Sequence, residues 1–187
     1  MKILFLGYNI HETKLINLLK KKNCFVDHLS TKLIDISNYD LIISFGYKYI
    51  IGKEIINQFK NRIINLHISY LPYNRGAHPN FWSFYDETPK GVTIHLMNEK
   101  IDNGAILFQR KINFDKNEIT FRQTYMRLLF EIEELFIENI DSILSMKWSL
   151  KRQSGIGTYH RLKDLPSQFG GWDSIIKDEI KRLKNEK

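Results

Sequence analysis

Asp40-Leu41-Ile42-Ile43-Ser44-Phe45 and Arg62-Ile63-Ile64-Asn65-Leu66-His67 are two short runs rich in β-branched and aliphatic residues, and Gly52 to Phe59 between them spaces its apolar side chains for a short helix. Strand, helix, strand in so short a span is the unit of a parallel sheet, because parallel neighbours need a crossover and a helix usually supplies it. The same alternation extends toward the N-terminus. Met1 to Leu6 is a buried-type strand ending at Gly7, and Cys24 to Leu29 is another. From His11 to Lys22, Leu15, Leu18 and Leu19 follow helical spacing, with three lysines at the end that suits cations. The pattern predicts an α/β fold built on a mainly parallel open sheet flanked by helices.

Toward the C-terminus, Leu71-Pro72-Tyr73-Asn74-Arg75-Gly76 reads as a loop and Pro79 to Tyr85 as a helix with proline near its first position. Gly91 to Met97 and Ala105 to Ile112 are strands on either side of the turn-prone Asn98 to Gly104. Apolar residues from Phe121 to Leu144 then recur at steps of three and four, which predicts one long helix from Thr120 to Met146. Residues 148–187 differ in character: a polar, glycine-containing stretch, the segment Thr158 to Pro166, and a basic amphipathic piece from Trp172 to Leu183. So short a segment is too small for an ordinary core of its own, so the expectation is a main domain over 1–147 and a C-terminal appendage over 148–187 folded onto it.

With 187 residues, 43% apolar and 13% aromatic, the chain has material for one well-cored domain. Its single cysteine, Cys24, excludes an internal disulfide and a cysteine-cluster metal site. The opening apolar run is too short for a signal core and no stretch approaches a membrane span, so a cytoplasmic protein without membrane association is expected. The net charge of +7 would suit nucleic acid, a membrane surface or a phosphorylated small molecule. Its basic excess is split between the two ends, and Lys20-Lys21-Lys22 lacks interleaved aromatics. That run reads as a solvated helix face, and nucleic acid is not expected as a partner.

Asn65 and His67 stand two apart at the end of their strand and so share a face. The carboxyl ends of parallel strands are where open α/β sheets bind ligands. An amide and an imidazole there either close the strand with local hydrogen bonds or donate to a developing oxyanion. Asp102 sits in the turn Ile101-Asp102-Asn103-Gly104, a common place for a structural aspartate. The histidines His11, His28, His67, His78, His95 and His160 show no ligand spacing such as His-x-x-x-His, so no metal is expected.

Three linked segments occur in order: Asn65-Leu66-His67-Ile68-Ser69-Tyr70-Leu71-Pro72-Tyr73-Asn74-Arg75-Gly76, Gly91-Val92-Thr93-Ile94-His95, and Ile101-Asp102-Asn103-Gly104-Ala105-Ile106. Together they resemble the 10-formyltetrahydrofolate-dependent formyltransferases, with a Rossmann-like catalytic domain. The resemblance implies a catalytic trio of Asn65, His67 and Asp102, with 10-formyltetrahydrofolate as co-substrate. It places the folate along Phe45 to Ile51 and Met97 to Asp102, with Tyr49, Ile51, Met97 and Asp102 as its contacts. In the implied chemistry an amine attacks the formyl carbon, Asn65 and a proton-donating His67 stabilise the oxyanion, and Asp102 favours the imidazolium and helps move the proton.

The segment Arg75-Gly76-Ala77-His78-Pro79-Asn80-Phe81-Trp82 and the tail Gly157 to Leu165 are most similar to the sugar-nucleotide N-formyltransferases. That likeness implies a nucleotide-linked amino sugar as substrate, with Arg75, His78, Trp82, His160, Arg161 and Lys163 as binding candidates. Arg75 could equally pair locally, and Trp82 could equally be core. The short first half and the lack of room for a further C-terminal domain argue against methionyl-tRNA. Formylation of another small phosphorylated amine, or a domain that binds folate or nucleotide without turnover, stand as alternatives. A homodimer is the expected assembly, since a trimmed, aromatic-rich domain has surface to bury.

Overall fold

The computed structural model describes residues 1–34, 36–114 and 119–185. The chain runs β1 (Lys2–Gly7), α1 (Leu15–Lys21), β2 (Phe25–Leu29), β3 (Leu41–Phe45), α2 (Lys53–Gln58), β4 (Ile63–His67), β5 (Arg75–Gly76), α3 (Pro79–Tyr85), β6 (Gly91–Leu96) and β7 (Ile106–Lys111). It continues through α4 (Phe121–Glu138), α5 (Ile140–Leu144), β8 (Tyr159–His160) and α6 (Ile176–Asn185). Six strands form one sheet in the order β2-β1-β3-β4-β6-β7. The first four are parallel and β6 and β7 are antiparallel additions, so the sheet is mainly parallel, as the alternating pattern predicts.

Both faces of the sheet are covered, which is why its central strands are apolar without alternation. Ile3, Phe5, Leu41, Ile43, Ile64 and Leu66 meet Leu15, Ile16 and Leu19 of α1 and Leu128, Ile132 and Phe136 of α4 on one face. Leu4, Leu6, Ile42 and Ile63 turn to the other face and pack on Ile55 and Ile56 of α2 and on Phe59. Burying this set removes the apolar surface that drives the fold, at roughly 25 cal/mol per Å².

Thr120 caps α4 with a capping box: its side chain accepts from the Gln123 N–H, and Gln123 reaches back to the Thr120 N–H at 3.0 Å. The single helix expected over Thr120 to Met146 is corrected, because it breaks at Asn139. There the Asn139 side-chain amide donates to the Leu135 carbonyl at 2.8 Å, taking the acceptor that a continuing helix would give to the Asn139 backbone N–H. The first helix also starts later than His11. Glu12 and Thr13 both donate their N–H groups to the Asn9 carbonyl in a turn, and Thr13 Oγ1 then accepts from Leu15 N at 3.2 Å. The final helix starts at Ile176 rather than Trp172.

The C-terminal segment returns to the main body through a third cluster. Leu165, Phe169, Trp172, Ile176, Ile180 and Leu183 surround Phe81, Trp82 and Tyr85 of α3 and Phe121 of α4. Phe81 lies at its centre, with ring centroids 5.0 Å from both Trp82 and Phe169 and 5.4 Å from Phe121. Residues 186–187 of the expected appendage lie outside the described residues. None of the described helices is long and apolar enough to cross a membrane.

Candidate active site

β4 is the strand at which the sheet changes from parallel to antiparallel pairing, and its last residues carry Asn65 and His67. Opposite them on β6, Asn65 pairs with His95 and His67 with Thr93. Asp102 comes from the loop between β6 and β7 and has a left-handed backbone, φ 47°. Gly104 allows that loop to lie flat on the sheet edge, since a Cβ there would stand 1.7 Å from the Leu96 carbonyl oxygen.

These three side chains converge. Asn65 Nδ2 donates to Asp102 Oδ1 at 3.2 Å, His67 Nδ1 lies 3.7 Å from Asp102 Oδ2, and the Gly76 backbone N–H donates to the same Oδ2 at 2.9 Å. His67 Nε2 is 3.0 Å from the Asn74 carbonyl oxygen. A carbonyl can only accept, so the Nε2 proton is fixed there and Nδ1 is the nitrogen that gains or loses a proton.

Burial would raise the Asp102 carboxyl, but the neighbouring His67 and His95 and the Gly76 N–H outweigh it and hold it well below the usual carboxylate range. Burial pushes the His67 imidazole below its ordinary 6.5, and the pull of Asp102 only partly offsets that. Burial thus disfavours the charged form of His67, while the ionised Asp102 beside it favours that form, and a cationic His67 would in turn hold Asp102 down.

The trio opens into a cleft of about 570 Å³. Tyr49, Ile51, Met97 and Asp102, expected against the folate, all line it, as do His78, His160 and Arg161. Arg75, Trp82 and Lys163 do not line it, and for two of them the reason is visible. Arg75 gives Nε and Nη2 to Gln153 Oε1 at 3.1 and 2.6 Å. Trp82 is buried under His160, their rings stacked at 3.8 Å between centroids, while His160 Nε2 reaches Asp86 Oδ2 at 2.7 Å. Lys163 is exposed in the short turn at Leu162–Asp164.

Several residues of the site carried no role in the sequence reading. His95 is fully buried, is held by the Leu96 carbonyl through Nδ1 at 2.7 Å, and presents Nε2 to Asn65 at 3.3 Å and to Asp102 at 3.4 Å. Its signal was a histidine inside the buried strand Gly91 to Leu96, where Thr93 is the other polar side chain. Tyr8 and Tyr125 share a 2.5 Å hydrogen bond on the cleft wall, and burial followed by that bond raises the Tyr8 phenol. Nothing local marks them, because α4 and the end of β1 meet only in the fold. Among the described residues, no group of three or more histidines, cysteines or acidic side chains is arranged to hold a metal.

An open α/β sheet with an amide, an imidazole and a carboxylate gathered at the carboxyl ends of its parallel strands defines the class, an α/β protein with a polar cleft where such sheets bind ligands. Residues 10–140 match the formyl transferase family, described as "Formyl transferase", and the chain belongs to it.

Among sequence relatives, a methionyl-tRNA formyltransferase from Finegoldia magna is 35% identical over 123 residues, 65% of this chain and 39% of that protein. A dTDP-4-amino-4,6-dideoxyglucose formyltransferase from Mycobacterium tuberculosis is 31% identical over 129 residues, 69% of this chain and 54% of that protein. The chain thus spans about half the length, or less, of these curated relatives. The formyltransferase PseJ from Anoxybacillus kamchatkensis, solved with UDP-4,6-dideoxy-4-formamido-L-AltNAc and tetrahydrofolate, is 42% identical with a TM-score of 0.87, covering 95% of this chain and 96% of PseJ. A 4-N formyltransferase from Francisella tularensis is 27% identical with a TM-score of 0.74, covering 87% of this chain and 77% of that one.

Proposed function

We propose that this protein is an enzyme that moves a formyl group from 10-formyltetrahydrofolate to the amine of a nucleotide-linked amino sugar. The first candidate acceptor is a UDP-linked 4-amino-4,6-dideoxy sugar, by likeness to PseJ, which matches over nearly the whole of both chains. Residues 1–147 form the catalytic domain in this reading and 148–187 its appendage. The observation that carries the reading is the convergence of Asn65, His67 and Asp102 at the floor of one cleft.

The chemistry follows from the hydrogen bonds. The neutral sugar amine attacks the formyl carbon, and the former carbonyl oxygen takes the negative charge. Asn65 Nδ2 stands at 3.2 and 3.3 Å from its two partners, long contacts that it gives up at little cost to donate to that oxygen. A donor so placed contributes about 3 kcal/mol to stabilising a tetrahedral intermediate. His67 Nδ1 takes the proton lost by the attacking nitrogen, and the ionised Asp102 beside it stabilises the imidazolium as it forms. The same proton then passes to N10 of the folate as the carbon–N10 bond breaks, leaving formamide product, tetrahydrofolate and a neutral His67. Tyr49, Ile51 and Met97 line the folate end of the cleft, and His78, His160 and Arg161 stand for the nucleotide sugar.

The test is incubation with 10-formyltetrahydrofolate and a panel holding UDP- and dTDP-linked amino sugars, a ribonucleotide amine and methionyl-tRNA. Mass spectrometry should show one added formyl group on an amino-sugar nucleotide. Formylation of the ribonucleotide or of the tRNA alone, or binding of folate and nucleotide with no product, would refute the reading.

A further inference from the structure

Resting on the reading of Asp102 as the acid–base carboxylate, we propose that Gln153 is a positioning residue that sets where that carboxylate stands. The C-terminal segment would thereby complete the catalytic loop without touching the reacting atoms. Gln153 Nε2 donates to the backbone carbonyls of Asp102 at 2.8 Å and Gly104 at 2.9 Å, one on each side of Asn103. Its Oε1 accepts from Arg75 at 2.6 and 3.1 Å. Arg75 precedes Gly76, whose N–H grips the Asp102 carboxylate. One amide therefore ties the backbone of Asp102 to the same strand that holds its side chain.

The loop needs such a tie. Asp102 has a positive φ that non-glycine residues adopt at a cost, and such a conformation persists only where its surroundings enforce it. Within the loop, Asn103 N–H reaches Lys100 O only at 3.3 Å. The position of Gln153 is itself fixed two residues upstream, where Lys151 and Ile106 exchange backbone hydrogen bonds at 2.8 and 2.9 Å. The chemistry of the contact also selects the residue type. Two carbonyls demand donors and a guanidinium demands an acceptor, and a terminal amide of this length offers both. Glutamate would keep the acceptor and set a carboxylate against two carbonyl oxygens, while lysine would keep donors and repel Arg75.

Gln153→Met retains shape and loses both functions, and Gln153→Glu retains only the contact to Arg75. Both are to be assayed as the full chain for formyl transfer, with Asp102→Asn alongside and folding checked by circular dichroism. In both Gln153 variants kcat should fall 10- to 100-fold while the KM for either substrate changes less than 3-fold, since misplacing a reacting group by about 1 Å is enough for such a loss. The titration of His67, followed by NMR, should move to lower pH, because the Asp102 charge facing it would recede; His95, the other titratable ring near it, is held by the Leu96 carbonyl.

Wild-type kcat in Gln153→Glu would show that the Arg75 contact alone matters and would overturn the proposal. So would a loss carried wholly by KM with the His67 titration unmoved. Full activity in Asp102→Asn would instead refute the role of the carboxylate itself, and the proposal with it.

Discussion

Replacing Asp102 by asparagine removes the charge and turns one carboxylate oxygen into an amide donor. The remaining oxygen can still take the Gly76 N–H, now 2.9 Å away, and the new amide can donate to His95 Nε2, so the fold should survive; the 3.2 Å hydrogen bond from Asn65 Nδ2 to Oδ1 is lost, and Asn65 must turn to another acceptor. What disappears is the attraction between the carboxylate and the imidazolium that forms during the reaction. At the 3.7 Å separation from His67 Nδ1, and an effective dielectric of about 20, that attraction is about 4 kcal/mol. The asparagine dipole and entering water would restore part of it, leaving a net loss of about 2–3 kcal/mol in the transition state. The expected result is a kcat lower by roughly 30- to 150-fold, with the KM for folate and acceptor nearly unchanged. Saturating formyl-transfer assays at neutral pH, paired with thermal unfolding, measure this directly. A folded variant whose kcat stays within 3-fold of wild type would refute the idea that Asp102 stabilises a charged His67.

Four further outcomes follow from the site and from the packing around it. Because burial holds His67 below 6.5 and its neutral Nδ1 is the base, kcat/KM should fall as pH drops, with an acidic limb below 6.5 that disappears in His67→Ala. An acidic limb unchanged in that variant would assign it to another group. The same depressed value makes the unfolded state bind the proton more readily, so His67 should cost the protein stability as pH falls below 6.5, measurable by urea unfolding at pH 7 and 5.5 against His67→Ala. Gly104→Ala should destabilise by about 2–4 kcal/mol or displace the Asp102 loop, since its Cβ meets the Leu96 oxygen at 1.7 Å; a stable, fully active variant would contradict the packing. Phe81→Ala, which empties the centre of the third cluster, should cost about 3–5 kcal/mol and expose the C-terminal segment to limited proteolysis ahead of the rest.

Much of the sheet was readable because its signals are local. Strands β1 and β3 are mostly apolar runs and β4 opens as one, as suits strands between two covered faces, and the proline at the start of α3 marked that helix to the residue. Where expectation and structure part, a side chain competes with the backbone, as Asn139 does in ending α4. The residue types of the proposed trio were equally legible, since Asn65 and His67 share a strand face by simple periodicity.

Their meeting with Asp102 is a different matter. It depends on β6 lying antiparallel beside β4, on Gly104 permitting a close approach, and on Gly76 and Gln153 drawing the loop inward from remote stretches. Arg75 and Trp82 show the reverse case, cleft candidates by type that the fold spends on Gln153 and on a stack beneath His160. Composition and spacing determined which strands, helices and reactive groups this chain would have, because those follow from the hydropathy and geometry of neighbouring residues. Which groups face one another, and whether His67 rests charged or neutral, only the tertiary structure decided, because burial and charge separation are properties of residues far apart in sequence and close in space.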